Sequence, residues 1–246
     1  KIHSSVNYLN IEAKIFDIGS GIIKGKAIFD LKGGAIQNAE STGILTANDR
    51  DEAKSHHIID LEMLPEMIRA AKEKGAPIII QTSVSTAKYI GYKVLVEVCK
   101  LLAETELVDV TLHLDHAKNF DDIKEAIDNG YSSVMFDGSS LPFKENIMKT
   151  ATVVEYAHAR GVSVEGELGI IGGTEDGHSI DSEKYMYTKP EDAVEFIKQT
   201  GVDALAVAIG TNHGQYKSKT NVRLDLLKEI NNVVDVPLVI HGGTGV

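Results

Sequence analysis

The stretch Thr111-Leu112-His113-Leu114-Asp115-His116-Ala117 brings two imidazoles and a carboxylate to the end of one short apolar run. Leu112 and Leu114 alternate with His113 and Asp115, so one face is apolar and the other is ionisable. A carboxylate beside an imidazole is costly to bury, which marks the pair as functional rather than filler. Two further histidines end similar runs: His213 in Ile209-Gly210-Thr211-Asn212-His213-Gly214, and His241 in His241-Gly242-Gly243-Thr244-Gly245. Neutral imidazoles from three strand ends, His116, His213 and His241, form a rigid set suited to zinc with one position left open for substrate. Gly214, Gly242 and Gly243 let the backbone approach a ligand and aim N–H groups at an anion, with Lys217 and Thr244 near enough in sequence to add contacts. The stretch from Gly169 to Gly177 is Gly-rich and carries Glu175 and Asp176 at its tip. As a loop it would close over a substrate and deliver an acid or base.

Elements must carry these groups. From about Ser55 onward, short apolar runs alternate with helical spacings such as Leu61, Leu64, Met67, Ile68 and Ala71. The runs are Ile78 to Ile80, Val108 to His116, Ser133 to Asp137, Val162 to Leu168, Ala204 to Gly210 and Pro237 to Ile240. Apolar strands alternating with amphipathic helices imply a parallel sheet covered by helices. Ser83, His116, Asp137, Glu167, His213 and His241 all fall at or just beyond the C-terminal ends of these runs. Contributions from so many strand ends favour a (β/α)8 TIM barrel over an open sheet with one crevice. Lys54 to Ile59 makes a poor first strand, and no run follows Ile240, so the barrel is expected to lack its last βα unit. Residues 1–50 differ: Asn10 to Asp17 and Lys24 to Leu31 alternate like strands, with glycines between them as turns. The expected organisation is a β-rich N-terminal segment over 1–50 and a barrel over 51–246.

Composition narrows the function. The 246 residues carry a net charge of −11, which argues against nucleic acid or an anionic membrane as partner. No apolar run approaches the ~20 residues of a membrane span, and the first residues do not read as a signal peptide. Cys99 is the single cysteine, which excludes an internal disulfide and suits a reducing, cytoplasmic setting. An anionic substrate would have to be held by a metal, backbone N–H groups or a few lysines.

Five ordered motifs closely resemble the class II, metal-dependent ketose-bisphosphate aldolases: His113-Leu114-Asp115-His116, Asp137-Gly138-Ser139, Glu165-Gly166-Glu167-Leu168-Gly169 continuing through Gly172-Gly173-Thr174-Glu175-Asp176, Gly210 to Gly214, and His241 to Gly245. The resemblance covers about Ile58 to Val246 and implies zinc held by His116, His213 and His241. It implies Asp115 as the acid/base at the C4 hydroxyl and Glu175 as the loop carboxylate that moves the dihydroxyacetone-phosphate proton. Glu167 and Asp137 match a supporting or alternate metal position. Ser83, Gly214, Gly242 and Thr244 match phosphate contacts, and a monovalent cation, Na+ or K+, is expected near Asn212, Gly214 and Gly242. The implied reaction is reversible cleavage of fructose or tagatose 1,6-bisphosphate to dihydroxyacetone phosphate and glyceraldehyde 3-phosphate, in a homodimer or homotetramer. The alternative is a non-catalytic, metal-binding relative or partner subunit, because Ser55-His56-His57 stands where the family has Ala-Phe-Asn and Val84 where it has Gly. A metal-dependent hydrolase is disfavoured, since no His-x-His opens the first strand.

Overall fold

In a computed structural model of the chain, residues 61–170, 187–211 and 221–242 are described in full, and the strands at 9–14, 17–18, 21–22, 26–31, 54–57, 172–175, 178–180 and 212–213 by their backbone alone. Two antiparallel pairings lie near the N-terminus: β1 (Leu9–Lys14) with β4 (Lys26–Leu31), and β2 (Asp17–Ile18) with β3 (Gly21–Ile22).

The main sheet has seven strands: β5 (Lys54–His57), β6 (Ile78–Ser83), β7 (Val110–Ala117), β8 (Ser133–Phe136), β9 (Ser163–Leu168), β12 (Ala204–Val207) and β14 (Leu238–Val239). Spatial order follows chain order and every neighbouring pair is parallel. Helices α1 (Leu64–Lys74), α2 (Val84–Ile90), α3 (Tyr92–Glu106), α4 (Phe120–Asn129), α5 (Phe143–His158), α6 (Pro190–Thr200) and α7 (Leu224–Asn231) make the crossovers. The polar segment at 54–57, a poor strand by its residue types, pairs in register with Ile78 to Gln81. Its neighbour supplies the pairing partner that its own pattern does not announce.

Parallel strands need cover on both faces, and β8, β9, β12 and β14 are buried along their whole length. The outer face packs Leu112, Leu114, Val134, Phe136, Leu205 and Val207 into the large core with the helices. A second, small cluster of Met135, Ala204, Ala206 and Val239 occupies the alternate positions of the same strands. Those alternate positions face inward, because strand side chains switch sides at every residue. Glu165 is paired with Ala204 and Glu167 with Ala206, so two small side chains leave room for two inward carboxyl groups. The sheet is curled. Strands β7 and β14 are four places apart, or ~19 Å at ordinary strand spacing, yet the imidazoles at their ends approach to 3.0 Å. Among the described residues no helix is long and apolar enough to cross a membrane.

The segment expected as a mobile loop after Glu167 contains strands instead. β10 (Gly172–Glu175) pairs antiparallel with β11 (His178–Ile180) and parallel with β13 (Asn212–His213). Its glycines carry no side chains to reveal a strand pattern, so only the backbone pairing shows it.

Candidate metal centre

The centre begins with an irregularity in β7. His113 lies opposite Ser133 and Leu114 opposite Val134, but Ala117 lies opposite Phe136. Three steps along β7 therefore match two along β8, and the extra residue forms a bulge. His116 sits in it at φ 47°, a left-handed conformation that costs a residue with a side chain ~1–3 kcal/mol. In a regular strand Asp115 and His116 would point to opposite faces. Here Asp115 Oδ2 and His116 Nε2 are 3.9 Å apart, and both residues offer an atom to one group with His241.

His241 follows β14. Its Nδ1 is 3.0 Å from His116 Nε2, with the rings inclined at 65°. A tetrahedral ion with Zn–N bonds of ~2.0–2.1 Å sets two imidazole nitrogens ~3.3–3.4 Å apart, so the pair needs only a few tenths of an ångström of adjustment. Ligand atoms of Asp115, His116 and His241 all lie within 4.8 Å of one another, as do those of His116, Asp137 and Glu167. His116 borders both groups: its Nδ1 is 3.4 Å from Asp137 Oδ2 and 3.6 Å from Glu167 Oε2. Imidazole nitrogens beside carboxylate oxygens are a donor set that zinc accepts, so the residues fit the ion.

Charge in the centre is strongly biased. Burial opposes ionisation of Asp137. The His116 imidazole and the hydroxyl and N–H of Ser139 outweigh it and hold the carboxyl well below the usual range. Glu165 is the opposite case. Burial, reinforced by the Asp115 and Glu167 charges and only partly offset by His116, pushes its carboxyl well above the usual range. Glu165 Oε1 lies at hydrogen-bond distance, 3.0 Å, from His241 Nε2, and Oε2 is 3.7 Å from His113 Nε2. His113 in turn bonds Ser133 Oγ through Nδ1 at 2.8 Å. Glu165 stands in the Glu165-to-Gly169 motif, but the sequence assigns it no role of its own. Its signal is the period of two in Glu165-Gly166-Glu167, which puts both carboxyls on the inward face.

The other expected residues divide. Ser83 caps α2, its Oγ accepting from the Thr86 N–H at 3.2 Å and bonding Ser85 Oγ at 2.9 Å. Gly242 follows His241 at φ 69°. The backbone of His213 lies opposite Gly173 in the small sheet, and that of Glu175 opposite His178. The side chains of His213 and Glu175, and all of Gly214, Lys217 and Thr244, lie outside the described residues.

Comparisons with known proteins point to one family. The family model described as fructose-bisphosphate aldolase class-II matches residues 53–246. A fructose-bisphosphate aldolase of Geobacillus stearothermophilus is 44% identical over 193 residues, covering 77% of this chain and 67% of the relative. One from Staphylococcus aureus (strain Mu50) is 41% identical over 194 residues, covering 78% and 67%. Among solved structures, the YdjI aldolase from Escherichia coli K12 superposes with a TM-score of 0.68 at 34% identity, covering 79% of this chain and 67% of that one. A putative fructose-1,6-bisphosphate aldolase from Coccidioides immitis gives a TM-score of 0.70 at 35% identity, over 76% of this chain and 67% of that one.

Proposed function

Given that the chain belongs to the class II fructose-bisphosphate aldolase family, a family of lyases, we propose that it performs zinc-dependent, reversible aldol cleavage of a ketose 1,6-bisphosphate. The products are dihydroxyacetone phosphate and glyceraldehyde 3-phosphate. The observation that carries the reading is the meeting of Asp115, His116 and His241 from strands far apart in the chain. His116 and His241 hold the ion together with His213, and Asp137 and Glu167 support it or offer it an alternate position. Bound there, zinc supplies a Lewis acid for the ketone oxygen, so that no Schiff-base lysine is needed. Asp115 accepts the proton of the C4 hydroxyl as the C3–C4 bond breaks, the bonding pair passing toward C3 and the C2 carbonyl. It returns that proton in condensation. Glu175 delivers the proton to C3 of the three-carbon fragment. Ser83, Gly214, Lys217, Gly242 and Thr244 engage the phosphates, with a monovalent cation beside Asn212, Gly214 and Gly242. The scaffold is a (β/α)8-type barrel over 51–246, assembled as a homodimer or homotetramer, with 1–50 as a separate β-rich segment.

Cleavage of fructose and tagatose 1,6-bisphosphate tests the reading, before and after chelation. Activity lost to chelator and restored by zinc supports it, and the faster substrate names the stereochemistry. One zinc per chain with no cleavage of either substrate would overturn it in favour of a non-catalytic relative.

A further inference from the structure

We infer that Glu165 is a positioning residue for His241 and His113, one carboxyl fixing two imidazoles beneath the metal centre. The inference rests on the reading of His241 as a ligand. Glu165 is fully buried on the inward face of β9, between the two histidines. Its two oxygens face different rings: Oε1 lies 3.0 Å from His241 Nε2, and Oε2 lies 3.7 Å from His113 Nε2. Among the described residues Oε2 accepts no hydrogen bond, so it meets His113 by proximity and packing alone.

The consequence for His241 follows from imidazole chemistry. A neutral ring carries one N–H, and only the other nitrogen has a lone pair to give. With Oε1 as the acceptor at Nε2, the ring's proton stays there, and Nδ1, the nitrogen 3.0 Å from His116, is left to donate its lone pair to a cation. The same bond fixes the ring plane, as carboxylate partners of metal-bound histidines do. His113 receives the second oxygen, while Ser133 Oγ holds its Nδ1 at 2.8 Å and Asp115 Oδ1 lies 3.8 Å from its Nε2. Glu165 thus reaches one ligand directly and the acid/base residue through His113. Room for it comes from its register partner Ala204, whose side chain is a single methyl.

The test compares Glu165→Met, which keeps length but cannot accept, with Glu165→Gln, whose amide oxygen can. Zinc affinity is measured by competition with a chromogenic chelator, and coordination by the visible absorption of the cobalt(II)-loaded protein. Glu165→Met is expected to bind zinc ~10–100-fold more weakly than the native chain, with an altered cobalt spectrum. Glu165→Gln is expected to recover most of both. Circular dichroism of the metal-free variants checks folding, and if Glu165→Met does not fold, Glu165→Gln is compared with Glu165→Ala: zinc affinity above that of Glu165→Ala supports the inference, and affinity equal to or below it overturns it. Native zinc binding matched by Glu165→Met, with an unchanged cobalt spectrum, overturns the inference and leaves the metal reading intact. A native chain that binds no zinc overturns both.

Discussion

At the scale of the residue, the centre depends on two neighbours that a regular strand would separate. In the proposed mechanism Asp115→Asn removes the proton acceptor but keeps the shape, so kcat should fall by ~10²–10⁴-fold with zinc content unchanged. Metal analysis beside the rate measurement checks this, and loss of zinc would make Asp115 a ligand instead. His116 gives a second prediction through its φ of 47°. His116→Gly should be more stable than His116→Ala by ~1–2 kcal/mol, reversing the order expected in an ordinary strand. Urea melts of the metal-free variants read the difference. The types and order of Asp115 and His116 are legible in the sequence. The bulge that turns them together is not, because it depends on how β7 registers against β8. Glu165 is visible in its motif but its contacts are not, for a related reason: its partners His113 and His241 are distant in sequence, and only the curled sheet brings them near.

At the scale of the element, tight packing around the site makes some glycines irreplaceable. Gly210 has φ +99°, and an added Cβ would lie 2.4 Å from the backbone oxygen of Asn221. Gly161 also has a positive φ, +70°, but nothing stands within 4 Å of such an atom. Gly161→Ala should therefore cost ~1–2 kcal/mol from conformation alone. Gly210→Ala should cost clearly more, because backbone must move as well. Chemical denaturation midpoints compare the two. The strands most legible in sequence were those with unbroken apolar runs, such as Ile78 to Ile80, because burial on both faces selects them. Lys54–His57 is only weakly legible as a strand and Gly172–Glu175 not at all, because their residues are polar or lack side chains, and their pairing partners decide their conformation.

At the scale of the whole molecule, a bound ion should stabilise the fold by mass action. Free zinc at a hundred times its dissociation constant adds ~2.7 kcal/mol, so chelation should lower the melting temperature and zinc should restore it. A melt unchanged by either would count against a site formed only in the folded chain. Cys99 supplies a pH-linked prediction. Its burial pushes the thiol up to about 12, so alkylation at pH 8 should occur only after unfolding. The sign follows: above its ordinary value of 9.0 the unfolded chain loses this proton and the folded chain keeps it, so stability falls as pH rises past that point. The meeting of His116 and His241 has a kinetic consequence as well. They are 125 residues apart, and every intervening strand and helix must be in place before the two rings face each other. Closing so long a segment is a late and entropically costly event. During refolding, zinc capture would therefore time the moment the sheet rolls up, well after the individual strands and helices have formed.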